Sequence, residues 1–289
     1  MSSIKDKVAF GLECLLKRTL LPKKQCPECM SDDLNRIDSK LYVAELVECR
    51  NCGILFRFPI DTLKNKTFFY DSLYEEGFTT ELPSDQKLGN LIESNFSNHE
   101  KDFSEIIKIL KALGVDSGAR ILDFGCSWGY GTYQLRKAGY NAEGLEISQR
   151  RAEFGRKKFN LEISDSLENV RPGFDVFFSS HVLEHVPSLT ETIELAMSKI
   201  RPGGIFVAFT PNGSLDYRQK SFADFHSQWG KVHPRCLTDN FYKRIFKENI
   251  MLIASNPFDV VQIQKWDKSS LRVMDLSGSG LLAVAIAKE

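Results

Sequence analysis

From Arg120 onward the sequence alternates short apolar runs with amphipathic stretches, and few architectures accept that rhythm. Arg120–Phe124 reads as a buried strand, Tyr130–Ala138 as a helix ended by Gly139, Ala142–Glu146 as a second strand and Gln149–Lys158 as a second helix. Leu161–Ile163, Phe174–Ser179 and Ile205–Thr210 continue the strands; Leu189–Ile200 is a helix that stops at Arg201-Pro202-Gly203-Gly204, and Thr238–Glu248 is another. Phe103–Leu113 opens the series as a helix with Ile106, Ile107, Leu110 and Leu113 on one side and Gly114 as its stop. Strands alternating with helices predict a parallel sheet covered on both faces. Ile250–Ser255 and Leu281–Ala287 supply further apolar strands for an antiparallel edge.

In front of this series lies a different texture. Cys26-Pro27-Glu28-Cys29 and Cys49-Arg50-Asn51-Cys52 form two C-x2-C knuckles with 19 residues between them. Four thiolates on two tight turns suit tetrahedral zinc and close its coordination shell, which makes the site structural rather than catalytic. Leu41–Glu48 and Ile54–Phe58 read as short strands beside the knuckles. These features divide the chain into an N-terminal helical arm at 1–24, a zinc ribbon at 25–60, an aromatic connector at 61–100 and the α/β domain at 101–289. Phe68, Phe69, Tyr70, Tyr74 and Phe78 give the connector its character and predict that it packs on the main domain. In the arm, Val8, Leu12, Leu15 and Leu16 share a helical face, which predicts docking against the protein body.

Lys plus Arg and Asp plus Glu both number 38, so no net charge draws the chain toward nucleic acid or an anionic membrane. No apolar run reaches the ~18 residues of a membrane span, and the charged start shows no secretory signal. Paired cysteines without such a signal point to metal binding in the cytoplasm rather than to disulfides.

The most specific stretch is Leu122-Asp123-Phe124-Gly125-Cys126-Ser127-Trp128-Gly129-Tyr130-Gly131. A strand ends in an acid, the chain turns on glycines, and a helix starts with free N–H groups facing whatever binds there. The spacing departs from the dinucleotide fingerprint, which disfavours a dehydrogenase. Glu146 ends the next strand 17 residues after Gly129, where a carboxylate can accept both hydroxyls of a ribose. Phe174–Pro187 then runs a buried strand into His181, Glu184 and His185 at the sheet edge where ligands bind in doubly wound folds.

In this order the pieces resemble the class I S-adenosylmethionine-dependent methyltransferases, over roughly Phe103 to Glu289. Leu122–Gly129 looks like motif I, Gly144–Ser148 like the strand after it, Phe174–Pro187 like motif IV, and Arg201–Asn212 like the helix–turn–strand that follows. Val182–Val186 is similar to the branch that includes ubiquinone-biosynthesis and many sugar- and polyketide-modifying methyltransferases. The resemblance implies an α/β, Rossmann-like, doubly wound and mostly parallel seven-stranded sheet, with S-adenosyl-L-methionine as cofactor. Its methionine end would lie against Asp123, Gly125 and Cys126 in the loop closed by Gly129, its ribose on Glu146, and its adenine near Ile147, Ser166 and Leu167, with His181 near the reacting methyl. Ser127 stands where the motif usually has glycine, and either Asp165 or Ser166 takes the position of the acid after the third strand.

His185 and His181 are the candidate bases for a hydroxyl acceptor, although His185 reads more readily as a packing histidine that hydrogen-bonds the strand end. His226, Trp229 and His233 flank a glycine in a stretch that reads as a substrate-side loop. A zinc ribbon before such a core resembles a subset of bacterial sugar and polysaccharide methyltransferases, which implies a carbohydrate, nucleotide-sugar or glycan acceptor. An O-methyltransferase of a quinone, polyketide or phenolic, and a non-catalytic module binding RNA or protein through the ribbon, are the competing readings. The balanced charge of the ribbon disfavours nucleic acid.

Overall fold

Near-continuous apolar runs, rather than period-two alternation, decide the architecture, because such strands must bury both of their faces. The computed structural model describes residues 4–20, 23–60, 81–247 and 250–288. The chain opens with helix α1 (Ile4–Leu20) and the ribbon strands β1 (Leu34–Lys40), β2 (Ala44–Cys49) and β3 (Leu55–Phe58). Helices α2 (Asp85–Glu93) and α3 (Ser104–Ala112) lead into the alternating series β4 (Arg120–Phe124), α4 (Tyr130–Lys137), β5 (Asn141–Leu145), α5 (Gln149–Phe159), β6 (Ile163–Ser164), β7 (Phe174–Ser180), α6 (Leu189–Lys199) and β8 (Ile200–Pro211). Then follow α7 (Leu215–Lys220), α8 (Phe222–Gln228), β9 (Arg235–Cys236), α9 (Asp239–Ile245), β10 (Met251–Ser255), α10 (Val260–Gln264), β11 (Arg272–Val273) and β12 (Gly280–Ile286).

The main sheet has eight strands in the order β11-β10-β12-β8-β7-β4-β5-β6. The eighth, β11, pairs parallel to β10 over only two residues, too short for hydrophobic periodicity to announce it. Strand β12 runs antiparallel to both β8 and β10, so the reversed strand lies inside the edge rather than at it. Leu122, Phe177, Phe206, Ile253 and Ala283 face one core layer, while Ile121, Val176, Phe178, Val207, Leu252 and Leu282 face the other. From β4 the chain first builds β5 and β6 to one side and then β7 and β8 to the other, so the switch point opens at the C-terminal ends of β4 and β7.

The ribbon is continuous with this domain. Strand β3 pairs antiparallel with β9, Leu55 opposite Cys236 and Phe56 opposite Arg235, which makes a four-stranded sheet β1-β2-β3-β9. Cys26, Val47, Cys49, Ile54 and Phe56 are buried in the same core layer as Leu122 and Phe206. Thr238 caps α9 by accepting from Phe241 N at 2.9 Å, and its hydroxyl donates to Gly53 O at 2.7 Å, tying the second knuckle to that helix.

The arm docks by the face opposite to the expected one. Phe10 and Cys14 are buried on Leu46, Leu55 and Trp229, whereas Val8, Leu12, Leu15 and Leu16 are 51–65% exposed. The large Phe10 ring, which also receives Arg57 at 5.2 Å, outweighs the smaller aliphatic stripe. The five aromatic residues of the connector, Phe68 to Phe78, lie outside the described residues. Downstream of them, α2 buries Leu88 and Leu91, and Phe96 packs on Trp128.

Removing the Thr238 hydroxyl strips a helix cap and a buried carbonyl's partner together. Thr238→Val should lower stability by about 1–3 kcal/mol, read as a reduced urea midpoint at unchanged slope.

Candidate functional site

The turn after β4 is built on left-handed backbone. Gly125, Ser127 and Gly129 have φ of 77°, 52° and 82°. A Cβ on Gly125 would stand 2.3 Å from Val182 Cγ2, and one on Gly129 would stand 2.5 Å from Leu161 Cδ1. Glycine is therefore required at both for closeness as well as conformation. Ser127 accepts the same left-handed turn despite its side chain, and its hydroxyl is buried with no hydrogen-bond partner. Cys126 is buried against Gly144, and burial holds its thiol well above the ordinary range, so it serves as a small wall residue and not as a nucleophile.

Two carboxylates converge beside this loop. Asp123 is buried and accepts from Thr132 Oγ1 at 2.7 Å. Burial raises its pKa to about 7; Thr132 opposes the shift and the Glu146 charge adds to it. Glu146 is also buried and raised by desolvation, offset by the N–H of Ser148 at 2.8 Å and the Arg151 charge. A cavity of about 240 Å³ opens at these strand ends, with Gly125, Glu146, Ile147, Val182 and His185 in its wall. Ile147 is half exposed, Leu167 is buried, and the Ser166 hydroxyl is turned to Glu168. Two raised carboxylates, an orphaned hydroxyl and a glycine cradle fit a ligand with a cationic amino acid end and a ribose, which is the chemistry of S-adenosylmethionine.

Across the cavity, β7 runs out into His181, itself at φ 55°. His181 is exposed and does not line the cavity; its Nδ1 lies 3.5 Å from Glu184 Oε1, and that carboxylate raises its pKa. Glu184 is fully buried. Burial opposes its ionisation, but His181 and the His185 charge outweigh that and keep it below the usual carboxylate range. His185 is buried on the wall with Nε2 at 3.9 Å from Glu184 Oε1, and burial lowers its pKa, so it is neutral at pH 7. His233 packs on it with ring centres 5.1 Å apart. The Nδ1 of His233 meets Gln228 O at 2.7 Å; a carbonyl only accepts, so Nδ1 carries a proton there. Glu184, His185 and His233 bring their ligand atoms within 4.8 Å of one another, an arrangement that can move a proton or hold a divalent cation.

The stretch read as a substrate loop divides. His233 joins His185, but His226 Nδ1 lies 2.6 Å from Asp38 Oδ2, and Trp229 is buried with Nε1 donating to the same oxygen at 2.7 Å. Lys40 lies 4.7 Å over the Trp229 ring. Trp229 and His226 thus fasten α8 to the ribbon strand β1 rather than face the cavity. The sequence does not single out Ser179, whose buried hydroxyl lacks a partner, the buried Thr210–Tyr242 hydroxyl pair, or Glu28 and Arg235, whose contacts no local pattern signals.

The four knuckle cysteines bring their sulfurs within 4.8 Å of one another, with Cys26–Cys52 at 3.6 Å and Cys29–Cys49 at 3.5 Å. That is far beyond a disulfide bond, and close to the ~3.8 Å edge of a tetrahedron with zinc–sulfur bonds of about 2.3 Å. Asn51 Nδ2 donates to Cys29 Sγ at 3.4 Å, the outer-shell bond such a thiolate needs. The set fits a structural zinc ion.

A family described as a methyltransferase domain matches residues 98–249, more than half of the chain. The chain belongs to this methyltransferase domain family. Its doubly wound core is the class I S-adenosylmethionine-dependent methyltransferase fold. It is 31% identical over 115 residues to the ubiquinone biosynthesis O-methyltransferase of Methylocella silvestris, which covers 37% of this chain and 43% of that one. It is also 31% identical over 109 residues to the enzyme of the same name from Methylococcus capsulatus, covering 34% and 46%. The chain thus spans less than half the length of the curated relatives it matches. Among solved structures, the plantazolicin methyltransferase BpumL, in complex with a monoazolic desmethyl analog and S-adenosylhomocysteine, superposes with a TM-score of 0.50 at 15% identity, covering 78% of this chain and 96% of that one. That likeness is one of fold. No helix among the described residues is long and apolar enough to cross a membrane.

The raised pKa of Asp123 sets a pH test. A carboxyl whose folded pKa lies above its unfolded value costs stability progressively as pH rises from about 4 to 7. Asp123→Asn escapes that cost, so its stability advantage over wild type should grow by roughly 2–3 kcal/mol between pH 5 and pH 8 in urea unfolding. An advantage that does not change with pH would contradict the assignment.

Proposed function

We propose that this methyltransferase methylates a hydroxyl oxygen of a small aromatic acceptor, a phenol or quinol, with His185 as the base. The reading is carried by the position of His185, a buried, neutral imidazole in the cavity wall with the Glu184 carboxylate 3.9 Å from its Nε2. S-adenosylmethionine, when bound, supplies a methyl group already activated by sulfonium, so the protein's task is positioning and proton removal. Glu146 would accept the ribose hydroxyls, Asp123 would answer the cationic amino group, and the Gly125 backbone would let the methionine end lie close. His185 would take the acceptor hydroxyl's proton, the methyl–sulfur bond giving way to the methyl–oxygen bond with S-adenosylhomocysteine as the leaving group, and Glu184 would stabilise the imidazolium. The apolar wall of Phe124, Val182, Val186 and Pro187 suits an aromatic ring. The relatives named above are O-methyltransferases of ubiquinone biosynthesis, which supports a quinone-type acceptor.

A carbohydrate acceptor keeps one observation in its favour. The buried Ser179 hydroxyl has no partner, and the buried hydroxyls of Thr210 and Tyr242 pair with each other. Ser179 and Thr210 lie two residues beyond Phe177 and Ala208 on the sheet face that carries the Phe124 side of the cavity. Such donors suit a ligand with several hydroxyls of its own.

The test offers the zinc-loaded protein S-adenosylmethionine with either a catechol or a nucleotide-sugar and reads methylated product by mass spectrometry. Methylated catechol supports the first reading, and methylated sugar the second. His185→Gln should lower the rate by about 10²–10⁴-fold while S-adenosylhomocysteine affinity stays within about threefold. A His185→Gln enzyme that keeps its full rate removes His185 from the mechanism.

A further inference from the structure

The first zinc knuckle reaches directly into the motif that carries Glu184 and His185. Glu28 lies between the ligand cysteines Cys26 and Cys29 and is buried, its side chain 1% exposed. Its Oε2 accepts from the backbone N–H of Leu189 at 2.9 Å and of Thr190 at 3.1 Å. These are the first two amides of α6, groups that have no partner inside a helix. A carboxylate there also meets the positive end of the helix dipole. Ser188 caps the third amide, that of Glu191, at 3.4 Å, so the start of α6 is satisfied partly by its own residue and partly by the knuckle.

The other oxygen of Glu28 accepts from Arg235 Nε at 3.0 Å, with the guanidinium side chain 4% exposed. Arg235 extends the clamp to the loop itself, donating to Val186 O at 2.9 Å and Pro187 O at 2.8 Å. Two amides and two carbonyls of the turn that leads from His185 into α6 therefore find partners in this one pair. Arg235 is also the residue through which β9 joins ribbon strand β3, opposite Phe56. Neither residue borders the cavity.

We propose that Glu28 is a positioning residue for methyl transfer: seated between two zinc-ligating cysteines, it fixes the Glu184–Thr190 turn through Arg235 and the α6 N-terminus, so that zinc in the ribbon sets the geometry of the acceptor side. The cofactor side is built on β4, β5 and the glycine loop, to which neither Glu28 nor Arg235 hydrogen-bonds. Loss of zinc uncouples the two sides instead of unfolding both. The functional weight of this coupling rests on the proposed role of His185.

Amide hydrogen exchange on the full chain tests it without any acceptor. After a chelator removes zinc, the Leu189 and Thr190 amides should exchange at least tenfold faster. The amides of β4, β7 and β8 should keep their protection, and S-adenosylhomocysteine affinity by calorimetry should change less than threefold. In the zinc-loaded protein, Glu28→Gln should reproduce the local effect, because its amide nitrogen cannot answer the Arg235 charge. Glu28→Asp should restore much of the protection. Unchanged exchange at Leu189 and Thr190 on chelation would overturn the proposal. So would equal acceleration throughout β4–β8 with loss of S-adenosylhomocysteine binding, which would make the ribbon a general support. Exchange reads the turn whether or not His185 is the base, so failure of the coupling and failure of the catalytic reading are told apart.

Discussion

The acceptor half of the molecule depends on a buried carboxylate–guanidinium pair, Glu28 with Arg235, that joins residues 207 positions apart. A buried ion pair is a poor source of net stability, because desolvating both partners cancels most of their attraction. Its value is directional. Once buried, each group must find its full set of hydrogen bonds, and here those partners are two helix amides and two loop carbonyls. Only one placement of the ribbon on the α/β domain satisfies all of them, which is how a small, metal-held module acquires a fixed orientation against the sheet.

The two sides of the cavity solve opposite electrostatic problems. On the cofactor side, Asp123 and Glu146 are buried near one another, and both are pushed toward the neutral form. A cation arriving there relieves a cost already present in the free protein, so affinity and selectivity for positive charge come from the same strain. On the acceptor side the order is reversed. Glu184 stays ionised because imidazoles surround it, and His185 stays neutral because it is buried. A neutral base beside a fixed negative charge is poised to take a proton, whereas an imidazolium already formed would have nothing left to accept.

Much of this was legible in the chain because the signals are local. Arg120–Phe124 and Phe174–Ser179 are apolar runs with no competing interpretation, and the glycines after Asp123 mark a turn that only they accommodate. The knuckle spacing placed all four cysteines. What escaped has physical reasons. Strand β1, Leu-Asn-Arg-Ile-Asp-Ser-Lys, carries a ribbon edge with few apolar residues and no clean alternation. Strands β9 and β11 are two residues long and exist only because a partner strand is waiting. Trp229 next to a glycine and two histidines suggested recognition, but a tryptophan with one buried polar partner is a better bolt than a sensor, and Asp38 supplied that partner from 191 residues away. Glu28 was hidden in plain view, a charged residue inside a knuckle where exposure is the ordinary expectation.

The pairing of β3 with β9 also fixes an order of events as the chain is made. The ribbon is synthesised early, while Arg235 and Cys236, which complete its sheet, come long after Leu55 and Phe56. Until then β3 presents an open edge with Leu55 and Phe56 uncovered, the type of surface that invites pairing with another nascent chain. A metal ion that closes the knuckles early would hold those strands in a small, fixed hairpin, limiting how far the edge can fray or recruit strangers. In the newborn chain, an ion held by the four knuckle cysteines would act as a guard against misassembly.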